Sequence, residues 1–167
     1  MTTYKEQNRG FTLLELLVVI IVIGLLSAIV LAFLNTARDR GGDAAVKVNL
    51  DGAKKQIELY YNATNFSYGT AFPKNVCPAF SGGATNPFAA DAKINAAIAE
   101  AAAKGGGGIP TSCASVGSPS ATAYAIAVAL KTAGQSRCVD STGQSKTYTT
   151  PPGTPVAAID LATAKCN

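Results

Sequence analysis

Glu15 is the residue whose position demands a chemical reason. It heads an apolar run: Leu16 to Ala37 holds 22 residues without a charge, and Leu16 to Leu34 is strongly apolar. A carboxylate in the middle of a membrane helix costs about 2.5–3.5 kcal/mol on insertion scales. A residue kept against such a cost calls for a partner that can carry positive charge. Just upstream, a polar leader ends in Arg9-Gly10 and the chain turns apolar at Phe11. Other reactive chemistry is scarce. There is no His or Trp, and Cys77, Cys113, Cys138 and Cys166 stand far apart with no CxxC pair. Most triads and metal sites need His, and a zinc or thioredoxin-like site needs closer cysteines. Ser, Thr and Lys occur in no recognisable nucleophile motif. The chain therefore reads as a non-enzyme, without catalytic residues, metal or cofactor. What remains is charge pairing at Glu15 and disulfide chemistry.

The elements that must position these groups follow from length and pattern. At 167 residues the chain suffices for one domain plus an anchor. Its net charge of +4 is scattered, so no nucleic-acid patch is evident. An even cysteine count behind an N-terminal apolar segment points to two disulfides in an oxidising compartment. The apolar run is near the 20 or so residues that span a bilayer. It exceeds the roughly 7–15-residue core of a secretory signal, and its small-x-small candidate, Val30-Leu31-Ala32, is poor. An ordinary single-pass anchor is the commoner class. Such an anchor would avoid Glu15, and it leaves the Arg-Gly-Phe junction unexplained.

The stretch Arg9-Gly10-Phe11-Thr12-Leu13-Leu14-Glu15-Leu16-Leu17-Val18-Val19-Ile20 closely resembles the class III signal of type IV pilins and type II secretion pseudopilins. The match is close over about the first third of the chain and general beyond it. The resemblance implies cutting between Gly10 and Phe11 by a prepilin peptidase, then N-methylation of Phe11. It makes Glu15 the family's glutamate, which meets the Phe11 amine of a neighbouring subunit. Two buried charges, each costly alone, become tolerable as a pair. The pair also sets an axial register between helices that could otherwise slide. Many members carry a helix-breaking proline where this chain has Ala32.

Helical periodicity continues past the apolar run. Val46, Leu50, Ala53, Ile57 and Tyr60/Tyr61 recur at three- and four-residue steps, marking one apolar face. Lys47/Asp51, Asp51/Lys55 and Lys54/Glu58 are opposite-charge pairs at i,i+4, read as a solvated face. One helix from Phe11 to Tyr61 would be about 76 Å long. Gly41-Gly42 reads as a tolerated weak spot, with a hinge as the other reading. The helix is expected to end near Asn62. Asn62-Ala63-Thr64 and Asn65-Phe66-Ser67 fit the N-glycosylation pattern, but turn chemistry explains them more economically.

Residues 63–167 form the head. Phe66 to Gly83 reads as a loop. Asn86 as N-cap and Pro87 open a helix that Lys104 and Gly105 close. Gly105 to Gly108 reads as a flexible joint. Tyr124, Ile126, Val128 and Leu130 alternate with alanines, predicting a strand with one bulky and one small face. Arg137–Asp140 and Ser145–Thr150 are two further strands around a Ser141-Thr142-Gly143 turn. Pro151 to Pro155 reads as a rigid exposed loop and Ala157 to Lys165 as a short helix. Four cysteines allow three pairings. The sequential one, Cys77–Cys113 with Cys138–Cys166, is preferred; the second bond resembles the C-terminal disulfide loop of many pilins. Crossed and nested pairings stay open.

The expected fold is α+β: a long N-terminal helix against a small antiparallel sheet. The expected parts are a leader (1–10), a transmembrane or filament-core helix (11–36), its amphipathic continuation (37–62) and the head (63–167). Lys5 and Arg9 balance Arg38 and Arg40, so charge leaves the topology undecided, while the cysteines favour a head outside the cytoplasm. The resemblance implies a homo-oligomeric filament subunit, held by membrane lipid before assembly and extracellular or periplasmic afterwards. It implies prepilin peptidase, an inner-membrane platform protein and, indirectly, an assembly ATPase as partners. A pilus would serve adhesion, motility or DNA uptake; a pseudopilus would drive secretion. DNA or a surface ligand has no support in the residues. The major pseudopilin usually carries calcium in its C-terminal loop. Asp140 and Asp160 are the only acids after Glu100, which favours the pilin reading over that one. The alternative outside the family is a membrane-anchored extracytoplasmic binding domain.

Overall fold

A computed structural model of the chain describes residues 10–106, 108–149, 155–160 and 162–167. Residues 1–9 of the leader, including Arg9, and 151–154 of the proline-rich loop lie outside the described residues. The chain forms two compact units, one ending at Arg38 and one comprising Asp39–Asn167. Helix α1 (Leu13–Ala63) runs from the first into the second.

In the first unit the side chains of α1 are exposed, with Leu16 to Leu34 all apolar or small and none buried. The helix is long and apolar enough there to cross a membrane. Ser27, its one hydroxyl between Leu16 and Leu34, donates to the Ile23 carbonyl at 2.8 Å. That bond keeps the polar group satisfied within the helix, as an apolar solvent requires.

In the second unit α1 becomes one wall of a core. Val46, Leu50, Ala53 and Ile57 are completely buried, the face read from their spacing. The opposite-charge pairs behave differently from the solvated face expected of them. Lys54 Nζ donates to the Gly143 carbonyl at 2.7 Å, and Asp51 accepts from Ser145 Oγ at 2.9 Å. Glu58 accepts from the Tyr68 and Tyr124 hydroxyls at 3.1 and 3.4 Å. Three of these charges fasten the helix to the sheet, because the hairpin turn and tyrosines reach its flank. The helix continues through Gly41-Gly42 without a break. Gly42 has a packing reason instead: a Cβ there would lie 2.8 Å from the Lys104 carbonyl oxygen.

Five antiparallel strands follow in chain order: β1 (Phe72–Val76), β2 (Ser112–Val116), β3 (Ala123–Ala129), β4 (Gln135–Asp140) and β5 (Ser145–Thr149). Between β1 and β2 lie α2 (Pro87–Ala90) and α3 (Ala92–Lys104). The central strand β3 has the bulky and small faces its alternation predicts. Tyr124, Ile126 and Val128 join the core with α1 and α3. Ala125 and Ala127 pack under the C-terminal tail with Ala158, Ile159, Ala164 and Cys166. Burial on both faces explains why β3 carries no charge at all.

Five expectations are corrected. Phe66–Gly83 is not all loop: Phe72–Val76 pairs with β2 as an edge strand, where Pro73 is tolerated because an edge needs fewer N–H donors. The helix opened by Asn86 stops at Ala90. Asp91 takes extended backbone and caps α3 through Lys93 N and Ile94 N at 2.7 and 3.0 Å. Gly105 and Gly106 are not a flexible joint. A Cβ on either would sit 2.2 or 2.6 Å from the Ala129 or Leu130 carbonyl oxygen, so glycine permits close backbone approach. The terminal helix is replaced by a 3-10 turn (Pro155–Ala158) and two short paired strands, β6 (Ile159–Asp160) and β7 (Lys165–Cys166). Pro155 is buried rather than exposed. The tail is held at both ends by tertiary bonds, which outweigh its alanine-rich local preference.

Candidate functional site

The N-terminal stretch is built around a reciprocal pair of hydrogen bonds. α1 begins at Leu13, and Thr12 Oγ1 accepts from the Glu15 backbone N–H at 3.2 Å. Glu15 Oε2 in turn accepts from the Thr12 N–H and hydroxyl, each at 2.9 Å. This is a capping box, in which Thr and Glu three residues apart satisfy orphan donors of the first turn. The negative side chain also lies at the positive end of the helix dipole. Glu15 thus has a use within its own chain that the sequence reading missed. Its Thr-x-x-Glu spacing was the available signal. Only Oε2 is engaged; Oε1 accepts no bond among the described residues.

Gly10 and Phe11 precede this box, and both are exposed, Phe11 at 82%. The peptide bond between them lies two residues before the helix begins. Hence the geometry places an accessible, non-helical bond, a capped helix start and a half-used carboxylate within six residues. All six remain connected to the apolar helix.

The cysteines lie in the second unit. Cys77 is joined to Cys113 and Cys138 to Cys166, with Cα separations of 4.8 and 5.9 Å. The first bond links the residue after β1 to β2. The second ties β7 to β4 on the small face of the sheet. Asp140, fully buried, reinforces it: Oδ2 accepts from Cys166 N at 2.8 Å. Its Oδ1 accepts from Thr142 N and Oγ1 and Gln144 N at 2.6–3.2 Å. Four donors satisfy this carboxylate, as a buried charge requires.

Asp43 escapes the sequence reading, and Glu58 enters it only as part of a solvated face. Asp43 is buried on α1 and accepts from Lys131 N at 2.6 Å and Thr132 Oγ1 at 2.5 Å, closing the β3–β4 turn. Glu58 draws two tyrosines together. Burial, then the nearby Glu58 charge, pushes the Tyr68 and Tyr124 hydroxyls well above the ordinary phenol value.

Comparison with known proteins bears on the first of these sites. The family described as the prokaryotic N-terminal methylation motif matches residues 6–31. The matched segment takes in Gly10, Phe11, Thr12 and Glu15. The N-terminal third is therefore similar to that of type IV pilin-like prepilins. The type IV wide pilus major component PilA4 of Thermus thermophilus is 44% identical over 52 residues, 31% of this chain. The chain spans about 40% of that relative's length. No solved structure matches the chain. With its long apolar helix and five-stranded antiparallel sheet, the chain has an α+β, pilin-like arrangement.

Proposed function

We propose that this chain is a structural subunit of a type IV pilus-like filament, matured by prepilin peptidase and assembled through α1. One observation carries the reading: an exposed Gly10–Phe11 bond precedes a capped helix whose apolar first half is exposed and whose Glu15 Oε1 accepts no bond among the described residues. Cleavage after Gly10 creates an α-amino group on Phe11, which N-methylation leaves able to carry a proton. In an assembled filament Glu15 Oε1 of one subunit takes the Phe11 amine of the next. The capping bonds hold that carboxylate in place, so little side-chain freedom is lost on pairing. Before assembly the helix rests in the cytoplasmic membrane with the cysteine-bearing unit outside. An inner-membrane platform protein and, indirectly, an assembly ATPase extract it. Afterwards the subunit lies in a surface filament that works in adhesion, motility or DNA uptake.

A pseudopilus of type II secretion is the second reading. Asp140 is occupied by four backbone and hydroxyl donors and Asp160 by Ala162 N and Thr163 Oγ1. Neither carboxylate is presented to a cation, and this supports the pilus reading over a calcium-bearing major pseudopilin.

Terminal analysis of the mature chain by mass spectrometry tests the proposal. N-methylphenylalanine at Phe11 is expected. A start near residue 33 would indicate a secreted protein, and an intact leader a plain anchor; either overturns it.

A further inference from the structure

The globular unit carries a second feature, distant in sequence from Glu15. The end of α1, the β2–β3 connection, the β4–β5 turn and the C-terminal tail converge on an open cleft of about 580 Å³. Its walls include Tyr61, Tyr68, Thr122, Ser141, Thr142 and Lys165. Tyr61 and Tyr68 stack with centroids 4.5 Å apart. Phe66, 71% exposed, meets Tyr61 edge-on at 5.7 Å. The turn that presents it holds Asn65 and Phe66 both in left-handed backbone, φ 53° and 57°. Two consecutive non-glycine residues rarely share that conformation, and such outliers cluster at functional sites.

The chemistry of the walls selects among ligands. A run of hydroxyls beside aromatic rings suits a molecule with alternating O–H edges and C–H faces. The size lies within the range of small-molecule sites, roughly 300–1,000 Å³. An anion is disfavoured: Lys165 is the one cation among the described lining residues, while the carbonyl end of α1 and the Glu58 carboxylate behind Tyr68 place negative charge nearby. An extended peptide is disfavoured too, because β2 and β3 are each paired on both sides and offer no free edge.

We propose that this cleft binds a neutral saccharide, one ring face lying on the Tyr61 side and its hydroxyls meeting Thr122, Ser141 and Thr142. The proposal does not rest on filament assembly and survives or fails independently of it. The test is saturation-transfer NMR on the full chain in an amine-oxide detergent, which carries no sugar. The probes are cellotriose, chitotriose and maltotriose, with sorbitol and inorganic phosphate as controls. At least one trisaccharide should bind at millimolar concentration, with the strongest transfer at its ring C–H protons. Binding should weaken by about tenfold or more in Tyr61→Ala and in Thr122→Val. Thr122 is exposed, so the second variant keeps the fold if the first does not. Absence of trisaccharide binding, equal binding of sorbitol, binding of phosphate alone, or full affinity in Thr122→Val would each overturn the proposal.

Discussion

In the proposed filament Glu15 serves two requirements, the helix cap seen here and a charge pair with the next subunit, and substitution can separate them. Glu15→Gln keeps an oxygen for the Thr12 capping bonds but removes the charge. Its helix start should persist while filament yield falls by about tenfold or more, the equivalent of losing some 1.4 kcal/mol per contact. Glu15→Ala loses cap and charge together. Both should be processed at Gly10 nearly as the parent is, judged by electrophoretic mobility and filament counts in electron micrographs. Normal filaments from Glu15→Gln would mean that the charge pair is dispensable. Neighbouring glycines separate in the same way. Nothing lies within 4 Å of a Cβ built on Gly41 or Gly52. Alanine at either should raise melting stability by about 0.5–1 kcal/mol through helix propensity. Gly42→Ala should lower it, since the Lys104 carbonyl must move. Asp43→Ala, which strands the turn donors of Lys131 and Thr132, should cost about 1–3 kcal/mol.

At the scale of elements, α1 and the sheet are joined by side chains that titrate. Tyr68 and Tyr124 are held protonated in the fold, with values raised above the phenol's ordinary 10.0 by burial and by Glu58. A raised folded value means that the folded state keeps a proton the unfolded chain releases. Stability from these groups is therefore complete below pH about 10 and is lost as pH climbs beyond it. Denaturant midpoints measured from pH 8 to 12 should stay level and then drop. In Tyr68→Phe the drop should be shallower. The C-terminal tail makes a separate element. Its disulfide closes a sequence separation of 28, worth about 3–4 kcal/mol in the chain-entropy model. Replacing Cys138 and Cys166 together by Ala should loosen β6 and β7. Hydrogen exchange would then show fast amides in the tail and protected ones in β3; uniform protection would count against a role for the bond in holding the tail.

Over the whole molecule the division at Arg38/Asp39 separates a stretch with no buried side chain among its described residues from one with a complete core. A chain beginning at Asp39 should therefore be soluble, monomeric in sedimentation and cooperative in melting. The periodic parts of this architecture were legible without coordinates. The i, i+3, i+4 apolar steps marked the buried face of α1, and the Tyr-Ala-Ile-Ala-Val alternation marked β3. Elements whose conformation is imposed from outside were not. Phe72–Val76 has no clean alternation and becomes a strand because β2 offers it a free edge. Ala157–Lys165 has a helical composition but is drawn into strands by Asp140 and the Cys138 bond. The capping box at Thr12 shows in the sequence only as a Thr-x-x-Glu spacing, and the backbone at Thr12 decides whether that spacing caps a helix.

Local physics in the sequence alone determined the apolar helix, its polar junction at Gly10–Phe11, and the two-faced central strand. Each depends on residues within a few turns of one another, so spacing suffices to read it. Only the tertiary structure decided where Asp51, Lys54 and Glu58 point, why Gly42, Gly105 and Gly106 must be small, and how the tail covers the sheet. Those outcomes depend on groups separated by tens of residues, and no local pattern encodes which distant carbonyl or hydroxyl will arrive.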